Sequence, residues 1–173
     1  SFAAVIQERI LNVLRMKDTG FITSAKRPTG LLQGYSVVLE PLDYEPSSDL
    51  QLASGGIYSD LADMTVYLQA SLSPDSSPLG AAINLSHQLG LGWDSHPAEA
   101  ITWKNGAMPA GFSSLLKFDR TKKEGVIVMA NDLNTAATMH VSDIALDVQP
   151  PLYSYVDIPV PVATVPKVVG SYF

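Results

Sequence analysis

Trp103-Lys104-Asn105-Gly106-Ala107, Gly111-Phe112-Ser113-Ser114 and Gly125-Val126-Ile127-Val128-Met129-Ala130-Asn131 are the runs that decide how this chain folds. Each joins β-branched or aromatic residues to glycine and polar turn residues, the pattern of short strands. The links between them are too short for crossovers, so the strands must pair as an antiparallel meander. Residues 119–125 form a charged, hairpin-type connection. Strands are expected over 100–104, 112–118 and 126–130, preceded by another over 89–94, with Lys104 at a strand end.

Outward from this sheet the periodicity changes to helical. A helix over residues 135–147 carries Ala137, Val141, Ile144 and Val148 at helical spacing and is expected to close over the sheet. A helix over 60–72 has Ser59 as its cap, Asp60 and Asp63 in the first turn, and Leu61, Met64, Leu68 and Leu72 on one face. A shorter helix is expected over 79–87. Residues 1–16 read as an amphipathic helix with Phe2, Val5, Ile6, Ile10, Val13 and Leu14 on its apolar side. Between these, 17–54 is turn-rich, and its strand-like run is Tyr35-Ser36-Val37-Val38-Leu39. The fold class is therefore α/β (α+β), an antiparallel sheet flanked by the first and last helices.

Composition narrows the function. The 173 residues are 46% hydrophobic and 16% charged, enough apolar matter for a core without a metal or disulfide staple. No cysteine is present, which removes disulfides, zinc thiolates and a thiol nucleophile. A net charge of −6 opposes binding to nucleic acid, which needs clustered cations. No run approaches the roughly 20 apolar residues that span a bilayer. His87, His96 and His140 have no metal-ligand spacing and read as solvated or capping residues, so no metal site and no cofactor is expected. The low charged fraction, the helix that begins at once and the prolines of residues 149–173 point to a piece of a larger protein. Residues 1–148 are expected to be the C-terminal portion of one domain, and 149–173 a Pro-rich connector to another.

The Trp-Lys-Asn-Gly, Gly-Phe-Ser-Ser and Gly-Val-Ile-Val-Met-Ala-Asn runs resemble the third motif and closing hairpin of the serine β-lactamase and penicillin-binding-protein superfamily, its class C and esterase-like branch in particular. Leu14-Arg15-Met16-Lys17-Asp18-Thr19 resembles that branch's Leu-Gly-Met-x-x-Thr segment. Ala53 to Ser59, leading into Asp63-Met64, resembles its Gly-Gly-x-x-Ser helix entry, and Leu91-Gly92-Trp93 its Gly-x-Gly-Trp strand. The resemblance covers about residues 10–147.

It implies hydrolysis or transfer of an amide or ester in a small-molecule or peptide substrate, through an acyl-serine intermediate and without a cofactor. A lysine ammonium favours the ionised nucleophile, a glycine lets backbone lie against substrate, and a backbone N–H meets the developing oxyanion. On that resemblance Lys104 is the electrostatic residue, Asn105 and Gly106 line the substrate strand, and the Ala107 N–H is an oxyanion donor. Two departures stand out: Asn105 replaces the family's threonine, and one extra residue lies between Gly106 and Gly111. The family's Ser-x-x-Lys and Tyr-x-Asn motifs are expected to precede residue 1, so the missing N-terminal half of the domain is an implied partner and the chain alone is expected to be inactive. A periplasmic or extracellular location is likewise implied by resemblance.

Ser114-Leu115-Leu116-Lys117 matches Ser-x-x-Lys formally, but on a strand residues three apart face opposite ways. Tyr58-Ser59-Asp60 mimics Tyr-x-Asn, with Ser59 better read as a helix cap. A non-catalytic homologue that binds peptidoglycan-like peptides or a protein remains the alternative, and so does one subunit or proteolytic product that pairs with the missing half.

Overall fold

The computed structural model describes residues 1–23, 27–48 and 51–147. The expected connector, 149–173, lies outside the described residues. A helical segment comes first: α1 (Phe2–Ile6), a π-helical stretch (Gln7–Leu11) and α2 (Asn12–Leu14). It ends on Arg15, whose φ of 59° is left-handed. The pattern that this segment resembles has glycine at this position, the residue for which such backbone is unstrained. Met16 and Thr19 then turn inward and are buried.

The next elements are β1 (Gly20–Phe21), α3 (Leu52–Gly55), β2 (Ile57–Tyr58) and α4 (Leu61–Leu72), with β1 and β2 paired antiparallel. Asp60, not Ser59, caps α4 by accepting a 2.8 Å hydrogen bond from the Asp63 N–H. Ser59 instead places its hydroxyl 2.7 Å from that of Thr19. The buried Asp63 carboxylate accepts from the Asp18 N–H at 2.8 Å and the Thr19 hydroxyl at 2.7 Å. One side chain therefore fastens the segment after α2 to the first turn of α4. Asp63→Asn, which keeps the shape but removes the negative charge from the oxygen that accepts both bonds, is expected to lower unfolding stability by about 1 kcal/mol, read from the urea midpoint.

α5 (Pro78–Leu89) has Ser77 as its cap, Pro78 in its first turn and Gly90 at φ 67° as its left-handed stop. The strand expected over 89–94 is absent because Leu89 ends this helix and Gly90 and Gly92 both adopt positive φ, 67° and 81°. Trp93 turns into the core instead. The run Tyr35 to Leu39 is likewise a tight turn: the Ser36 hydroxyl accepts from the N–H groups of Val38 and Glu40, and Val37 and Val38 are exposed. Only Tyr35 makes β-bridges, to Pro41 and Asp132.

The main sheet is β3 (Ile101–Met108), β4 (Phe112–Asp119) and β5 (Glu124–Ala130), antiparallel in the order β3-β4-β5. The expected strand 100–104 extends to Met108, because the link at 109–111 is tight enough to keep β3 and β4 in register. Gly111 makes that link possible: at φ +90° it lies against Gly34, where any Cβ would sit 1.9 Å from the Ala110 carbonyl oxygen. Lys104 is thus in mid-strand, not at a strand end.

α6 (Thr135–Ala145) follows, capped by Asn134. Leu116 and Phe118, on one face of β4, pack with Leu68 of α4, and Met64, Tyr67, Leu72, Trp93 and Ile127 surround them. Lys117, on the other face, pairs with Asp143 of α6. The sheet is therefore flanked by α4 and α6. The first helix lies against α3 and the small β1–β2 sheet, with Phe2 edge-on to Phe21. α6 also reverses the expected burial: it turns Thr138, Ser142 and Asp143 inward and leaves Val141 and Ile144 51% and 65% exposed.

Candidate active site

β3 is an edge strand, and its outer side is where Lys104 to Ala107 can meet another molecule. Successive residues of a strand alternate in both side-chain face and backbone direction. The outward backbone groups of Trp103 and Asn105 are taken by the preceding loop. The Asp94 N–H donates to the Trp103 carbonyl at 2.9 Å, and the Trp103 N–H donates to the Ser95 hydroxyl at 3.2 Å. The Asn105 N–H donates to Asp94 Oδ2 at 3.1 Å. By the same alternation the Ala107 N–H is directed outward, one step beyond this loop, and Ala107 is exposed. That direction is the one an oxyanion donor requires.

Lys104 opposes Leu116 across the register, so its side chain lies on the α4 face of the sheet. Its ammonium lies 2.6 Å from Asp94 Oδ1, with the two side chains 50% and 27% exposed. Pairs this wet contribute at most about 1 kcal/mol to stability; the effect of Asp94 is to hold Lys104 along the strand edge. Asn105 opposes Leu115, which puts its side chain on the other face and leaves its backbone at the edge. Gly106 opposes Ser114, whose hydroxyl would be 3.3 Å from an added Cβ. Beyond Gly106 and Ala107 the strand ends in a tight turn, where the Gly111 N–H donates to the Met108 carbonyl at 2.9 Å.

At the far end of β3 a cavity of about 240 Å³ opens between Ala107 to Ala110 and the segments around Ser47 and Gly55. The first of these segments is tied to the body by the Ser47 N–H, which donates to the Ile22 carbonyl at 2.9 Å. Its hydroxyl is buried without a partner among the described residues.

Ser114 and Lys117 do not meet. Ser114 is exposed on the Lys104 side of β4, whereas the Lys117 ammonium is committed to Asp143 beneath α6. Sequence reasoning missed both acidic partners. Asp94 lies ten residues before Lys104, a separation that belongs to no motif, and Asp143 was hidden within a helix whose apolar spacing pointed the wrong way. His87 is a further correction: it is buried, not solvated or capping, and its ring packs tilted against both Trp93 and Phe118, at centroid distances of 5.1 and 5.4 Å. His96 does take a local role, accepting from the Ala98 N–H at 3.2 Å. Among the described residues, no three acidic or histidine side chains come together as a metal cluster.

A family model described as Beta-lactamase matches residues 1–148. The chain belongs to the beta-lactamase family. The solved structures agree on the fold. A class C beta-lactamase superposes with a TM-score of 0.70 at 18% identity, over 87% of this chain and 52% of that one. A beta-lactamase/D-alanine carboxypeptidase from Pseudomonas syringae superposes with a TM-score of 0.66 at 17% identity, over 87% and 54%. This chain therefore spans about half the length of the beta-lactamase-fold structures it matches. No curated protein matches it by sequence. Among the described residues, no helix of this family member is long and apolar enough to cross a membrane.

Proposed function

We propose that this chain is the C-terminal part of a serine hydrolase domain that cleaves an amide or ester through an acyl-serine intermediate. The reaction is placed in the periplasm or outside the cell, as the resemblance implies. The observation that carries the reading is the β3 edge: an exposed ammonium at Lys104 and an outward N–H at Ala107, on one strand, in a member of the beta-lactamase family. A serine from the remainder of the domain attacks the substrate carbonyl and gives up its proton to a base in that same remainder, which then hands it to the departing amine or alcohol. The Lys104 ammonium lowers the energy of the serine alkoxide as it forms, and the Ala107 N–H donates to the carbonyl oxygen as it becomes an oxyanion. Collapse of that tetrahedral species expels the amine or alcohol, and water later hydrolyses the acyl-serine. The backbone of Asn105 and Gly106 is the strand along which the substrate lies.

The exposed apolar residues on α6 and on the first helix, among them Val141, Ile144, Val5 and Val13, support a domain completed by residues beyond this chain. The opposed Ser114 and Lys117 support the inactivity of this chain by itself. The test is intact mass after exposure to a fluorophosphonate, a β-lactam and an ester. One adduct is expected on the full gene product and none on residues 1–173 alone, and Lys104→Ala is expected to slow acylation at least tenfold. A folded gene product that takes no adduct would be a non-catalytic homologue. An adduct on the 173-residue chain would place the nucleophile within it.

A further inference from the structure

We infer that Asp94 is a specificity-determining residue, a built-in carboxylate that fills the cationic end of the β3 edge and turns the site toward substrates with no carboxylate beside the scissile bond. This deepens the proposed function and rests on it. Both oxygens of Asp94 are engaged: Oδ1 accepts from the Lys104 ammonium at 2.6 Å and Oδ2 from the Asn105 N–H at 3.1 Å. An ammonium and a strand amide converging on one carboxylate form a two-point anion site. Here the chain supplies the anion.

The occupant is held in place. The Asp94 N–H is bonded to the Trp103 carbonyl, and the neighbouring Ser95 is buried and accepts from the Trp103 N–H. On the other side, Trp93 packs edge-on against the fully buried Phe118 with ring centroids 5.4 Å apart. An intramolecular carboxylate so placed competes at high effective concentration with one in solution. A substrate carboxylate would have to displace it and then lie beside it, a like-charge contact that works against binding. An uncharged ester or amide meets neither obstacle, because it needs only the serine, the Ala107 N–H and the strand backbone.

Asp94→Asn keeps an oxygen for the Asn105 N–H and removes the charge that holds Lys104. The measurement is the ratio of second-order acylation rates for benzylpenicillin, which carries a carboxylate, and p-nitrophenyl butyrate, which does not. Both are measured on the full gene product, with a fluorophosphonate adduct as the control for a working nucleophile. The substitution is expected to move the ratio at least tenfold toward benzylpenicillin, a change that a general loss of folding would not produce. An unchanged or falling ratio with fluorophosphonate labelling intact overturns the inference and leaves the hydrolase reading standing. Absence of labelling overturns the hydrolase reading, and acetate titration of the ¹⁵N-asparagine-labelled protein then decides the anion site. A saturable shift of the Asn105 amide in Asp94→Asn but not in the wild type supports it, and equal responses overturn it.

Discussion

Lys117→Ala is expected to lower unfolding stability by about 3–5 kcal/mol, the largest effect foreseen for a single substitution in this chain. Lys117 is 6% exposed at its side chain, in the middle strand of the sheet, and its ammonium meets the Asp143 carboxylate of α6, itself 12% exposed. Removing the lysine leaves a carboxylate under a helix with neither water nor a cation to solvate it. The coupling between strand and helix is tested by the double substitution Lys117→Met with Asp143→Leu. It removes both charges while preserving much of the volume, and is expected to recover most of the loss, because an apolar replacement of a buried ion pair is often neutral. Guanidinium or urea midpoints for the wild type, both single variants and the double variant give the cycle. A double variant no better than Lys117→Ala would mean that the pair stabilises the fold directly, beyond satisfying its own charges.

The second large effect is in the pH dependence of stability. Burial, with the nearby Arg120 guanidinium adding to it, pushes the His87 pKa from 6.5 down to about 4. Neither ring nitrogen has a partner among the described residues. In the unfolded chain the same imidazole takes its proton near pH 6.5, so the unfolded state binds the extra proton first as pH falls. The stability contributed by the neutral ring is thus fully present above pH 6.5 and is lost between 6.5 and about 4. The full shift corresponds to about 3 kcal/mol, and with allowance for solvent screening roughly 2 kcal/mol is expected. Carboxylates titrate in the same range, so the quantity to measure is the difference between the wild type and His87→Leu, which keeps an apolar side chain against Trp93 and Phe118 without a titrating group. The variant is expected to lose less stability than the wild type between pH 7 and pH 4. Parallel curves would mean that water reaches the imidazole in the folded state.

The first helix shows how far sequence periodicity reaches. Its apolar residues are spaced as a helix requires and a helix forms, yet Phe2, Val5 and Val13 stay exposed and Leu11 is the residue that is buried. α6 repeats the lesson with Thr138 and Ser142 inward and Val141 outward. Spacing reports which residues share a face, but which face meets the sheet depends on everything else that packs there. Gly90 and Gly92 explain the lost strand in another way: their positive φ values suit a turn, and the hydrophobic run around them reads as β only until Trp93 is seen to enter the core.

The site divides along the same line. Lys104, Asn105, Gly106 and Ala107 are contiguous, so their shared place on one strand and the alternation of their backbone groups follow from sequence, and so does the separation of Ser114 from Lys117. The α/β class, the antiparallel order of the three strands and the family resemblance were legible for the same reason: each rests on local patterns and short links. What only the tertiary structure decided is who stands beside whom at long range. Asp94 against Lys104, Asp143 against Lys117, Asp63 against Thr19 and His87 against Phe118 join residues 10, 26, 44 and 31 positions apart. No periodicity encodes such meetings, because a buried charge or ring finds its partner through the packing of whole elements, after the local structure of each has formed.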